Sequence, residues 1–237
     1  MAFLRTTSLT RIFKMGGETI RAVDDVSVEI EQGAVTALVG PSGSGKTTLL
    51  NLLGGLDRPT AGEIYLDDIA YSTLSAGDLA LLRRRSIGYV FQAYNLIPVL
   101  TAAENVGYVM MLQGAATRER DARVEEVLGL VGLAGYGHRR PDEMSGGQQQ
   151  RVAVARAIAA RPRVVFADEP TANLDSKTGE ALTDLFLEIN GAEGTTFVFS
   201  THDPVVMRRA RRVLVLHDGR IVGDGAPEIA LAAPSAE

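Results

Sequence analysis

The sequence predicts an α/β fold interrupted by a helical insertion, and three observations carry that prediction. Ala34 to Val39 is a short, nearly all-apolar run suited to a strand buried on both faces of a sheet, and Val164 to Ala167 and Thr196 to Ser200 read as further apolar strands. The first leads through GPSGSGKT into the helix-compatible TLLNLL, and the second precedes a helix marked by Leu182, Leu185, Phe186 and Ile189. From about 93 to 160 the pattern changes, and Ala102 to Met111, Arg118 to Leu130 and Arg151 to Ala160 read as helices between Gly- or Pro-containing connections.

The remaining elements are shorter. Ile20 to Ile30 alternates imperfectly through Val26, Val28 and Ile30 and meets the turn Glu31-Gln32-Gly33, as an edge or hairpin strand would. Glu63 to Leu66 predicts another strand, and Ile87, Tyr89 and Phe91 alternate again. Val213 to Leu216 is a strand before the turn Asp218-Gly219 and the apolar pair Ile221-Val222. The end, APEIALAAPSAE, reads as a short helix or a frayed tail.

Composition narrows the chemistry. At 237 residues and 46% hydrophobic, the chain is long enough for one substantial core. The absence of cysteine removes disulfides, iron-sulfur clusters and thiol catalysis, and fits a reducing cytoplasm. A formal charge of -5 and no DNA-reading motif argue against nucleic acid as a partner. The beginning lacks the apolar core and cleavage pattern of a secretory signal, and charge or Gly breaks every apolar run before the ~18 residues that cross a bilayer. The chain is expected to have no membrane span of its own, which leaves open docking on a protein that has one.

The segment Gly40-Pro41-Ser42-Gly43-Ser44-Gly45-Lys46-Thr47 fits GxxxxGK[ST] between a strand and a helix. Glycines let successive N–H groups curl toward phosphate, and the following helix adds its positive end. Lys46 is expected on the β- and γ-phosphates, with the Thr47 hydroxyl on magnesium. In VVFADEPT, residues 164 to 171, Asp168 can orient hydrated magnesium while Glu169 faces the attacking water as general base or polariser. His202, after another apolar strand, is placed to touch the γ-phosphate or hold the water. Gln92 offers an uncharged donor and acceptor to water or magnesium. Taken alone, His202 is as readily a loop histidine with a structural hydrogen bond and Gln92 an ordinary polar loop residue; both gain meaning from their order among the stronger motifs.

The three histidines, His138, His202 and His217, are widely spaced, so the expected metal is magnesium held mainly through ATP rather than structural zinc. Nor does the loop carry the GxGxxG pattern of a dinucleotide site. A second phosphate-binding turn lies in PDEMSGGQQQRVAVARA, residues 141 to 157. Ser145 offers a hydroxyl, Gly146 and Gly147 permit close approach, and Gln148 to Arg151 begin a helix whose N–H groups point back.

Together, GPSGSGKTT (40 to 48), YVFQ (89 to 92), MSGGQ (144 to 148), VVFADEP (164 to 170), ANLD (172 to 175) and THD (201 to 203) resemble the nucleotide-binding subunits of ATP-binding cassette transporters, over about residues 4 to 225. Met144 replaces the commoner leucine. The resemblance implies a P-loop NTPase core with an antiparallel β subdomain and an inserted helical subdomain at about 93 to 160, all within one ATP-binding domain over 1 to 237. It implies a head-to-tail homodimer in which Ser145, Gly147 and Gln148 of one subunit face ATP held by Gly40, Ser42, Gly43, Ser44, Gly45, Lys46, Thr47 and Thr48 of the other. Asp175 is implied to link the two sites, and Phe13 to stack on adenine, where a core aromatic is the alternative.

The amino-terminal spacing, the stretch RRRSIGYVFQAYNLIPVLTAAENV, and GGQQQRVAVARAIA with DEPTANLDSKTGE are particularly similar to the lipoprotein-releasing and macrolide-exporting branch, and the cell-division ATPase of the same broad branch is also close. That implies transmembrane permease subunits docking near 93 to 143, with Tyr94 to Leu100 beside a cytosolic helix, and a place on the cytoplasmic face of the inner or plasma membrane. Arg83, Arg84 and Arg85 read either as a solvated basic face or as contacts for acidic partners or lipid headgroups. A conventional importer subunit and a soluble ATP-dependent clamp are the alternatives. The interval between Lys46 and Asp168 leaves no room for a long coiled-coil insertion beside the helical region, against the clamp.

Overall fold

The computed structural model describes residues 3–172 and 174–229. Its centre is a six-stranded sheet in the order β11-β10-β4-β9-β8-β7. These strands are β4 (Val35–Val39), β7 (Ile87–Val90), β8 (Val164–Ala167), β9 (Thr196–Ser200), β10 (Arg212–His217) and β11 (Arg220–Gly225). All neighbours pair in parallel except β10 and β11, which form a hairpin. The apolar runs explain this sheet: alternate residues of each strand feed two different cores. Val165, Ala167, Phe197 and Phe199 pack on one side, whereas Val164, Phe166 and Val198 pack on the other. A strand buried on both faces must be apolar throughout.

One core is completed by α3 (Ala102–Leu112), α4 (Thr117–Leu130), α5 (Gly146–Ala159) and α6 (Ser176–Glu193). The other holds α1 (Lys46–Leu53) against an antiparallel sheet of β1 (Leu4–Met15), β2 (Glu18–Val26), β3 (Glu29–Ile30), β5 (Ala61–Leu66) and β6 (Ile69–Ala70). The expected single strand Ile20 to Ile30 is therefore two, broken after Asp25 turns left-handed at φ 56°. The strand expected through Phe91 stops at Val90, and the helix expected from Arg151 begins at Gly146.

Four elements escape the sequence patterns, the two-residue β6 among them. Strand β1 reads LRTTSLTRIFKM and shows little alternation, because it shifts register twice near Arg11 and serves three partner strands. Helix α2 (Ala76–Ser86) buries only Leu79, so no apolar stripe reveals it. It is set instead by its cap, in which Ser75 Oγ accepts from the Asp78 amide. Helix α7 (Pro204–Met207) is a single turn started by the Asp203 cap. Of the expected C-terminal helix or tail, Ala226 to Ile229 are described, with Glu228 and Ile229 helical, and the remainder lies outside the described residues.

Candidate functional site

The loop between β4 and α1 depends on its glycines in a position-specific way. Gly45 sits at φ 103°, and a Cβ there would stand 2.1 Å from the Ala22 carbonyl oxygen. At Gly40 the same atom would meet the Leu216 carbonyl oxygen at 2.1 Å. Gly43, at φ 80°, instead faces open space. The first two glycines allow the loop to be pressed between β2 and β10, and the third keeps its outer surface bare.

Lys46 Nζ donates to the Gly40 and Pro41 carbonyl oxygens at 2.8 and 3.0 Å, so the ammonium arches over the loop. The next residue reaches across the sheet: Thr47 Oγ1 donates to Asp168 Oδ1 at 3.1 Å. Asp168, at the end of β8, is 6% exposed and also accepts from Ser200 Oγ at 2.8 Å. That hydroxyl accepts in turn from the Glu169 amide at 2.8 Å. Glu169 adopts φ 46°, a left-handed conformation that a non-glycine residue holds only when its surroundings impose it. Its carboxylate Oε2 lies 3.0 Å from His202 Nδ1. His202 is largely exposed, whereas the Glu169 side chain is largely buried.

Gln92 follows a stack of Tyr89 on Phe91, whose centroids are 4.4 Å apart, and is exposed. Burial, and after it the Asp168 charge, pushes the Tyr89 hydroxyl up from its ordinary pKa, so it stays protonated and donates to Asn51 Oδ1 at 2.7 Å. The outcome is one open cleft of about 830 Å³. Gly40, Ser42, Gly43, Gly45, Lys46, Thr47, Thr48, Gln92, Glu169 and His202 all line it. Asp168 lies just beneath, and Ser44 is buried inside the loop with its Oγ unpaired among the described residues. Phe13 does not line the cleft; it pairs across the sheet with Ile20, which does, and Arg11 Cζ covers one face of its ring at 4.6 Å.

Ser145, Gly147, Gln148 and Asp175 come together elsewhere, in a separate cleft of about 390 Å³. The two clefts share no lining residue. Ser145 is the N-cap of α5 and forms a reciprocal capping box with Gln148: Ser145 Oγ accepts from the Gln148 amide, and Gln148 Oε1 from the Ser145 amide at 3.0 Å. Asp175 caps α6, and its bonds from the Thr178 hydroxyl and amide hold its carboxyl below the usual range.

The other two glutamines serve different turns: Gln149 the approach to Ser145, Gln150 the turn after Glu169. Gln149 donates to the Pro141 and Met144 carbonyl oxygens at 2.9 and 3.1 Å, fixing the approach to Ser145. Gln150, 2% exposed, donates to the Pro170 carbonyl oxygen at 2.7 Å.

Sequence reasoning missed Ser200, which joins Asp168 to the Glu169 backbone. Its only signal is a hydroxyl ending an otherwise apolar strand. The basic triplet is also more committed than expected: Arg83 donates to the Gly55 carbonyl and Arg84 to that of Leu112, at 2.7 and 3.0 Å.

A family model described as ABC transporter matches residues 23–172. The ABC transporter ATP-binding protein YknY of Bacillus subtilis is 44% identical over 219 residues, covering 92% of this chain and 95% of its own. The macrolide export ATP-binding/permease protein MacB of Burkholderia pseudomallei is 44% identical over 221 residues, which cover 93% of this chain but 34% of that longer protein. Among solved structures, the dimeric ATP-binding cassette MJ0796 of Methanocaldococcus jannaschii, in a post-hydrolysis state bound to ADP and Pi, superposes with a TM-score of 0.90. It is 42% identical, and the match covers 94% of this chain and 98% of that one. The glycine loop, the paired acids and the separate capped turn thus stand on a backbone shared with such cassettes, and the chain belongs to the ABC transporter family.

Proposed function

We propose that the chain is an ATP-hydrolysing motor subunit that closes as a head-to-tail pair around two Mg-ATP and drives a membrane permease of the lipoprotein-release or macrolide-export type. The observation that carries this reading is the division of phosphate-binding groups between two clefts with no residue in common. One chain cannot bring Ser145 to the phosphate beside its own Lys46; a second copy in reciprocal orientation can, and symmetry then completes two sites at once.

The residues fit Mg-ATP. A loop that tolerates no Cβ at Gly45 but is open at Gly43 can present its amides to phosphate. Thr47 and Asp168 already place their oxygens together, and they would hold the magnesium. Among the described residues no three His, Cys, Asp or Glu side chains form a metal cage, so nucleotide and water would supply most ligands. When bound, the ion would neutralise and polarise phosphate oxygens. Lys46 exchanges its two loop carbonyls for phosphate charge. Glu169, fixed by Ser200 on one side and His202 on the other, accepts the proton of the attacking water as its oxygen bonds the terminal phosphorus and the bridging P–O bond breaks to release ADP. Asp175 and Ser145 serve the partner's site, and the exposed side of Phe13 serves the adenine.

Docking of the permease is assigned to a groove of about 480 Å³ beside α2, α3 and α5. Leu56, Leu81 and Leu112 are 42–47% exposed there, with Arg85 in the wall, which suits an amphipathic cytosolic helix carrying acidic residues. The region 93 to 143 supplies one side of it, through Asn95, Val109 and Leu112. Among the described residues no helix is long and apolar enough to cross a membrane. The chain would therefore sit on the cytoplasmic face through that permease.

The test is Glu169→Gln with ATP and magnesium, read by phosphate release and size-exclusion chromatography. Hydrolysis should all but stop while a nucleotide-dependent dimer accumulates. Normal turnover would remove Glu169 from its role. Ser145→Arg should still bind ATP but fail to dimerise, and normal closure in that variant would sink the two-chain site.

A further inference from the structure

Helix α5 is tied to both catalytic loops of its own chain. At its start, the hydroxyl of Tyr94, two residues after Gln92, lies 3.0 Å from where a Cβ on Gly146 would stand. One turn along, Gln150 bonds the Pro170 carbonyl, immediately after Glu169. Further on, Arg156 donates through both terminal nitrogens to the carbonyl oxygens of Asn95 and Tyr94. Those two residues are left-handed in succession, at φ 49° and 61°, so the loop after Gln92 is held in a conformation it would not adopt unaided.

Gln150 is the informative member. Its amide is buried, and its Oε1 has no hydrogen-bond partner among the described residues. A half-satisfied buried amide is inferior to an apolar side chain of similar shape as a stabilising device. Its place in an otherwise apolar helix face is accounted for by what the other half does. The Glu169 turn is braced at one end by Ser200 on the Glu169 amide and at the other by Gln150 on the Pro170 carbonyl. Gln150 sits five residues after the Ser145 cap on the same hydrogen-bonded rod, and helices transmit displacement with little internal give.

We infer that Gln150 is a positioning residue coupling the two composite sites: contact of the Ser145 turn with the partner's phosphate is transmitted along α5 to the Glu169 turn of the same chain, with Arg156 making a second tie to the Gln92 loop. This rests on the two-chain reading above. Each site then sets the carboxylate geometry of the other, and the two hydrolyse cooperatively. Arg156 itself is desolvated, which makes an unpaired guanidinium there unfavourable and favours keeping both carbonyl bonds.

The experiment uses the full chain with Gln150→Met, which keeps length and apolar volume but removes the donor. Three quantities separate coupling from mere structure: ATP affinity of the dilute monomer, kcat, and the Hill coefficient for ATP. Wild type should show a Hill coefficient clearly above one. Gln150→Met should leave monomer affinity within about twofold, lower kcat by about tenfold and bring the Hill coefficient to about one. Unchanged kcat and cooperativity would overturn the inference, as would a non-cooperative wild type or a parallel loss of monomer affinity. If Gln150→Met does not fold, Arg156→Lys must show the same loss of cooperativity, and wild-type behaviour there is equally fatal. Normal turnover in Ser145→Arg would instead defeat the two-chain site itself. An inactive Ser145→Arg alongside fully cooperative Gln150 and Arg156 variants defeats the coupling alone.

Discussion

Ser200 Oγ donates to Asp168 Oδ1 and accepts the Glu169 amide, both at 2.8 Å, so one buried hydroxyl sets the spacing of two adjacent acids. Ser200→Ala leaves the strand intact but frees the Glu169 amide and removes one donor from Asp168. Stability should fall by about 1–3 kcal/mol in chemical denaturation. Turnover should drop by about tenfold or more, with a higher magnesium requirement. Unchanged magnesium dependence would show that Ser200 does not position Asp168.

Gly45→Ala tests the loop rather than the acids. The added Cβ meets the Ala22 carbonyl oxygen at 2.1 Å from a backbone at φ 103°, so strand β2 or the loop must move. Backbone strain alone is worth about 1–3 kcal/mol. ATP binding measured by calorimetry should be lost or greatly weakened while the fold persists by circular dichroism. Near-normal affinity would contradict the close seating of the loop against β2.

Asp24 gives a pH-dependent prediction. Arg220, and after it Arg21, holds its carboxyl below the usual range, with Arg220 Nη2 and Nε at 2.6 and 3.0 Å. A carboxylate with a depressed folded pKa contributes stability above its unfolded pKa, about 3.9, and loses it as pH falls through the folded value. Asp24→Asn should therefore melt lower than wild type at pH 7, and the gap should close as pH drops below about 3.9. A gap that persists unchanged at low pH would place the effect in packing rather than charge.

For the groove, Leu81→Glu changes an exposed apolar wall without touching either cleft. ATP binding and ATP-dependent dimerisation should stay as in wild type, while co-purification with the membrane subunit should fail. Retained co-purification would move the docking surface elsewhere.

The site was more legible than the fold around it because its chemistry needs particular residue types at particular places. GPSGSGKT and DEP are constrained by backbone conformation and charge, so Lys46, Asp168 and Glu169 stand out even in a single sequence. Strand β1 does not, because its Thr, Ser and Arg residues serve three partners with three register shifts. Helix α2 is equally quiet, with a single buried residue. Ser200 could not be distinguished from any serine ending a strand until β8 and β9 were paired, which brings it beside Asp168. The glutamine run showed that Ser145 and its neighbours formed an unusual turn, but separating the work of Gln148, Gln149 and Gln150 requires knowing which carbonyl each one reaches.

The separation of the two clefts on one chain has a kinetic consequence. If neither cleft is complete alone, activity per molecule of the purified subunit is not a constant. At high dilution the rate should rise with roughly the square of protein concentration and become proportional to it only where pairs predominate. In a cell, two subunits held on one permease would work at a fixed local concentration, so the membrane complex would hydrolyse ATP at dilutions where the free subunit is silent.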